Sequence, residues 1–191
     1  LSIPRGHTKR PIWTFKAEPM GTMIAMSSEN VRDTSEGDDA AYEWVFRAVA
    51  ADEEPAASLL EAMRLTLTEL NDGLDPNSPE MPSATPADFD LFLVGFEDET
   101  PICCGGLKPL GDGAVEVKRM YVVPQARGRG VARMLLARLE TEARRRGFAV
   151  ARLDTGPRQP SAERLYREAG YAEIGNFNAN PVASFWGEKR L

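Results

Sequence analysis

The sequence predicts an α/β (α+β) chain, with one mixed β-sheet of about six to seven strands and helices packed against it. Three observations carry that expectation. Between residues 89 and 123 three apolar runs, FDLFLVGFE, PICCGGLKPL and AVEVKRMYVV, follow one another with only turns between them, the pattern of an antiparallel meander. A strand, a helix and a second strand then occupy 114–154, which implies a parallel, right-handed crossover. Finally, 191 residues at 42% hydrophobic are enough for one sizeable core and short for two.

Taken in order, residues 1–21 read as a weakly structured arm, with Gly6, Pro4, Pro11 and Pro19, and 22–191 as the folded domain. TMIAMSSENVR at 22–32 is a candidate first strand. From Asp38 the chain reads as helical, DDAAYEWVFRAVAADEE, followed by a second helix, PAASLLEAMRLTLTEL. Pro55 suits its first turn, and Leu59, Leu60, Met63, Leu67 and Leu70 mark its buried face. Four prolines with Asn, Asp and Ser make 71–88 a loop, and one this long is usually functional or mobile. FDLFLVGFE is apolar on both faces, hence central. In the next strand Gly105 and Gly106 suggest a bulge. A helix beginning near Gly128 runs to Arg146 and stops at Gly147, its face set by Val131, Met134, Leu135, Leu139 and Ala143. FAVARLDTG is a fourth strand, SAERLYREAG a short helix closed by Gly170, YAEIGNF a fifth strand and ASFWGEKRL the last.

Composition excludes several function classes. No run approaches the roughly 18–20 apolar residues of a membrane span. The first twenty residues carry Arg5, Lys9, Arg10 and Lys16 with no apolar run after them, which argues against a secretory signal. The only cysteines, Cys103 and Cys104, are adjacent. They read as buried strand thiols of a reducing cytoplasm, since a bridge between neighbours is strained. With one histidine, His7, neither an intrinsic metal site nor a histidine-based triad is expected. Net charge is −6 but unevenly spread. Residues 27–100 hold 19 acidic and three basic residues, a net of −16, whereas 118–146 hold nine basic and two acidic ones, a net of +7. So acidic a half argues against a nucleic-acid partner. The contrast suits an anionic cofactor on one side and a cationic substrate on the other.

The basic segment contains VVPQARGRGVARMLLARL, 122–139, where a strand hands over to a helix. The first turn of a helix has unpaired N–H groups and the positive end of the dipole. Gly128 and Gly130, with Ala132 next, leave those groups open to a bulky anion, and Arg127 and Arg129 add charge. The arrangement is a pyrophosphate cradle. It lacks the G-K-[ST] ending of a P-loop and the G-x-G-x-x-G of a dinucleotide fold.

R-G-R-G-V-A at 127–132 is similar to the R/Q-x-x-G-x-G/A signature of the GNAT (GCN5-related) N-acetyltransferases, with Arg127, Gly130 and Ala132 on the signature positions. The resemblance extends through EVKRMYVVPQARGRGVARMLL and LDTGPRQPSAERLYREAGYAEI to the terminal EKRL, from about Asp90 to Leu191. It implies acetyl-CoA as acetyl donor, lying where two neighbouring parallel strands splay apart. It implies that the pantetheine arm pairs with Met120, Tyr121 and Val122, and that the pyrophosphate takes N–H groups from Arg127 through Ala132. Gln159 stands where many relatives carry a cofactor-contacting Asn. Tyr166, in the short helix, falls where a tyrosine protonates the departing thiolate, although Ala162, Leu165, Tyr166 and Ala169 also share a helical face suited to packing. Glu116 resembles the family's recurrent strand glutamate and is the candidate base, its alternative being a surface Glu paired with Lys118. Asp72, Asp75 and Glu80 lie where relatives build the acceptor pocket.

These features describe a cytoplasmic enzyme that moves acetyl from acetyl-CoA directly to a primary amine of a small molecule or peptide terminus, without metal or membrane. A homodimer is compatible with the resemblance. The competing reading is a non-catalytic acyl-CoA-binding or sensing module of the same fold. A toxin-like enzyme acting on charged tRNA is disfavoured by the acidic half.

Overall fold

The computed structural model describes residues 24–26, 44–75 and 84–191, the first three by backbone alone. Eight strands form one sheet: β1 (Ile24–Met26), β2 (Trp44–Ala48), β3 (Leu91–Glu97), β4 (Thr100–Gly111), β5 (Ala114–Val122), β6 (Val150–Thr155), β7 (Ala172–Glu173) and β8 (Phe185–Arg190). Their spatial order is β1-β2-β3-β4-β5-β6-β8-β7. Every neighbouring pair is antiparallel except β5 and β6, which are parallel and joined through the crossover helix. The mixed sheet is therefore as expected. The arm at 1–21 and the boundary at 22 lie outside the described residues.

Helix α1 (Ala56–Leu70) covers one face, and α2 (Val131–Arg145) with α3 (Pro160–Glu168) covers the other. Phe92, Val94, Phe96 and Cys104 meet Leu59 and Met63 of α1. Leu93, Leu107, Val115 and Val117 meet Met134, Leu135 and Leu139 of α2. Leu91 through Phe96 are all buried, which is why β3 carries no polar alternation. All five residues expected on the α2 stripe are buried. On α1, Leu59 and Met63 are buried but Leu70 is 36% exposed. α2 ends in Arg144 and Arg145, favourable to the negative end of its dipole. Gly147 follows at φ +82°, its N–H on the Arg144 carbonyl.

Three expectations need correction. DDAAYEWVFRAVAADEE is not a helix: within its described part, Trp44–Ala48 is strand β2, paired with both β1 and β3. Alanine and glutamate suggest helix, but Trp44 and Phe46 turn inward while Val45 and Arg47 are less buried, a period of two. Tertiary burial of aromatic and β-branched side chains overrides the flanking propensity. The strand expected over 171–177 shrinks to Ala172–Glu173, because Gly175 and Asn176 open a loop that runs to β8. The helix expected from Gly128 begins at Val131. Residues 127–130 form a turn instead.

The bulge foreseen in β4 belongs to its partner. Cys104 pairs with Tyr121 and Gly106 with Lys118, so Arg119 and Met120 of β5 oppose Gly105 alone. Arg119 sits at φ +60°. The extra residue reverses which face the side chains meet. Val115 and Val117 pack toward α2, and beyond the bulge Met120 and Val122 do so, while Tyr121 joins the α1 side.

Candidate active site

β5 and β6 pair at only three positions, Ala114 with Val150, Val115 with Ala151 and Glu116 with Arg152. Beyond them the strands separate, and among the described residues the edge of β5 from Val117 onward has no strand partner on that side. The gap opens into a cleft of about 190 Å³. Its walls are 117–120 of β5, Asp154 to Gly156 at the end of β6, Gln159, Ala162 and Tyr166 of α3, and Met63, Leu67 and Asn71 of α1, with Asn180 and Val182 from the loop before β8. A second cavity of about 320 Å³ lies between Leu60, Met63, Phe89 and Arg119. Arg119 thus lines both.

Tyr166 is 7% exposed, in keeping with the packing alternative, and it also lines the cleft. Burial, and secondarily the Asp154 carboxylate, push its phenol well above the usual value. The proton therefore stays on the oxygen through the neutral range. Gln159 is oriented by the end of β6: its Oε1 accepts from Thr155 Oγ1 at 2.9 Å and from the Gly156 N–H at 3.1 Å. Because that backbone group can only donate, the Gln159 Nε2 donors remain for the cleft.

Glu116 is 1% exposed and does not line the cleft. Its Oε1 accepts from Lys118 Nζ at 2.6 Å and from Asn178 Nδ2 at 2.7 Å. The pairing with Lys118 belongs to the alternative reading, but Glu116 is buried and Lys118 half-buried rather than both on the surface. Sequence reasoning missed Asp154, Asn178 and Asn180. Asn178 Nδ2 also donates to Asp154 Oδ2 at 3.0 Å, Asn180 Nδ2 donates to the same oxygen at 2.6 Å, and Trp186 Nε1 donates to Asn178 Oδ1 at 3.2 Å. The repeat N-x-N-x-N at 176–180 was the available signal, obscured because it reads as an ordinary turn.

At the other end of β5, Gly128 and Gly130 adopt φ +76° and +88°, in the left-handed region. A Cβ at either would meet nothing within 4 Å. The glycines are thus required by conformation, and the open space over α2's first turn is what an anion would use. Gly130 is the N-cap and provides no side-chain cap, as suits a terminus whose N–H groups are kept for a ligand. Arg127 Nε donates to the Val122 carbonyl at 2.9 Å, tying the turn to the strand. Arg129 is not simply solvated: it forms an ion pair with Glu97, which also accepts from Trp44 Nε1 at 3.1 Å. Hydrogen bonding from Arg129 holds the Glu97 carboxyl below the usual range. Asp72 pairs with Arg158, and Asp75 with Arg64 at 2.8 Å. Glu80 lies outside the described residues.

Comparison with known proteins agrees with this geometry. A family model described as "Acetyltransferase (GNAT) family" matches residues 59–171, more than half of the chain. The protein belongs to the GNAT acetyltransferase family. An IAA acetyltransferase of Azospirillum brasilense is 42% identical over 87 residues, 45% of this chain and 57% of that protein's length. The chain thus spans little more than half of that relative. A Klebsiella pneumoniae structure described as a candidate acyl-CoA N-acyltransferase shares 26% identity at a TM-score of 0.64, covering 78% of this chain and 97% of its own. PaiA N-acetyltransferase of Thermoplasma acidophilum, solved in complex with coenzyme A, has the same fold at 19% identity and a TM-score of 0.59, covering 78% and 99%. Among the described residues no helix is long and apolar enough to cross a membrane.

Proposed function

We propose that the protein transfers an acetyl group from acetyl-CoA directly to a primary amine of a small molecule or peptide terminus. The observation that carries this reading is the parting of β5 and β6 after Glu116, which opens a cleft onto a buried, protonated tyrosine. The free edge of β5 at Met120, Tyr121 and Val122 supplies backbone groups for the pantetheine arm. The left-handed turn and the first turn of α2, Arg127 through Ala132, take the pyrophosphate. Gln159 presents its amide N–H groups beside that path. Bringing thioester and amine together in one cleft supplies proximity, and a backbone N–H near Val122 stabilises the oxyanion. As the C–S bond breaks, its electron pair leaves with sulfur and the Tyr166 O–H gives that sulfur a proton.

The test is turnover. Purified protein with acetyl-CoA is offered pooled polyamines, amino acids, aminoglycosides and peptides, while free thiol and acetylated products are measured. Thiol release matched by a new N-acetyl product is expected. Acetyl-CoA binding without product across the panel establishes the non-catalytic module instead.

A further inference from the structure

We propose that Asp154, rather than Glu116, is the carboxylate that meets the acceptor amine and takes its proton, with Asn178 and Asn180 as its positioning residues. The inference rests on the transferase reading above and concerns the same cleft. Two carboxylates flank the parting strands, Glu116 from β5 and Asp154 from β6, and Asn178 Nδ2 bridges them at 2.7 and 3.0 Å. They differ in what they leave available. Glu116 is buried beneath Lys118 and away from the cleft wall. Asp154 lines the cleft together with Tyr166. Both asparagine donors fall on its Oδ2, and Oδ1 has no protein donor among the described residues.

The bridge has a fixed sense. The Trp186 indole can only donate, so Asn178 must offer it Oδ1 and turn Nδ2 toward the carboxylates. Asn180 adds the second donor at 2.6 Å. The charges facing Asp154 are Lys118 and Arg119 from β5, and Glu116 through Asn178. α1 contributes only Met63, Leu67 and Asn71 to this cleft, none of them charged. Tyr166 of α3 lines the same cleft as Asp154, and the Asp154 charge adds to the burial that displaces its phenol upward. A proton acceptor and a proton donor thus share one small space.

The chemistry balances. An alkylammonium gives one N–H proton to Asp154 Oδ1, and the freed lone pair forms a bond to the thioester carbonyl carbon. The C–S bond breaks with its electron pair on sulfur, and sulfur takes the Tyr166 proton. The second proton lost from nitrogen re-protonates the tyrosine oxygen, and the Asp154 proton passes to water. An alkylammonium resembles the lysine ammonium, ionised up to a pH of about 10, and needs such an acceptor. An arylamine is already neutral near pH 7 and does not.

The experiment compares wild type with Asp154→Asn on two acceptor sets: the alkylamine pool used above with benzylamine added, and aniline. Acetyl-CoA affinity is measured alongside by calorimetry. The expected result is a loss of alkylamine turnover on the order of a hundredfold, with the loss on aniline at least about tenfold smaller and acetyl-CoA affinity unchanged. Equal losses on both sets, or none, overturn the assignment of Asp154 and leave the transferase reading intact. Wild-type protein that binds acetyl-CoA and acetylates neither set overturns the transferase reading, and this assignment with it.

Discussion

Tyr166 packs in the core and is the proposed proton donor, and a single hydroxyl separates the two. Its ring packs near Tyr171, at 6.1 Å between centroids, and the residue lines the cleft. Tyr166→Phe keeps the ring and removes the proton, so turnover should fall about a hundredfold while acetyl-CoA affinity changes less than about twofold. Rapid-quench kinetics with parallel calorimetry reads both quantities, and equal losses would remove the tyrosine from the role of acid. Gly130 works through conformation. At φ +88° a β-branched side chain is strained by roughly 1–2 kcal/mol, and relief of that strain would close the turn over the phosphates. Gly130→Val is therefore expected to weaken acetyl-CoA binding by more than about tenfold, with the fold kept and the urea midpoint lowered by no more than about 1 M. An unchanged dissociation constant would show that the cradle lies elsewhere.

At the scale of elements, the edge of β5 beyond Glu116 is the one to watch. Its outward N–H groups at 117–122 have no strand partner on that side among the described residues, so a cosubstrate arm that pairs with them should slow their exchange with solvent. Hydrogen exchange with and without acetyl-CoA is expected to show added protection in peptides covering 117–122, and little change in β3, which is already paired on both edges. Elements whose own pattern matches their environment were readable from the sequence: β3 through its unbroken apolar run, α2 through its stripe, and the turn before α2 through its glycines. β2 was not, because the signal that makes it a strand is the burial of Trp44 and Phe46 beside β3, a contact about fifty residues away in sequence. The site divides the same way. Local motif positions pointed to Tyr166, which lines the cleft, and to the turn at 127–130. The bridge from Asn178 to Glu116 and Asp154 joins three separate elements, and no spacing announces it.

The whole molecule makes its thiols inert. Cys103 and Cys104 are 0% exposed, and burial pushes the Cys103 thiol up to about 12 and raises Cys104 as well. Because the thiolate is the reactive form, a maleimide or disulfide reagent at about pH 8 should label neither cysteine until the protein unfolds, when both react. Mass spectrometry across a urea series measures this, and labelling below the unfolding transition would contradict the burial. The same displacement fixes a sign for stability. An unfolded thiol ionises near pH 8.5, so below that value burial gives no pH dependence. Above it the folded chain retains protons that the unfolded chain releases, and stability falls by about 1.4 kcal/mol per pH unit for each thiol, up to the folded value.

One feature of the sheet acts at this largest scale. Its two halves, β1 to β5 and β6 with β8 and β7, share a backbone seam three residue pairs long. That seam is the spine of a partly opened book, and the pages part toward Tyr166. With so short a ladder, the two pages are held chiefly by what is packed and bonded across them: the core under α2 and α3, which draws side chains from both halves, and the Asn178 bridge from Glu116 to Asp154.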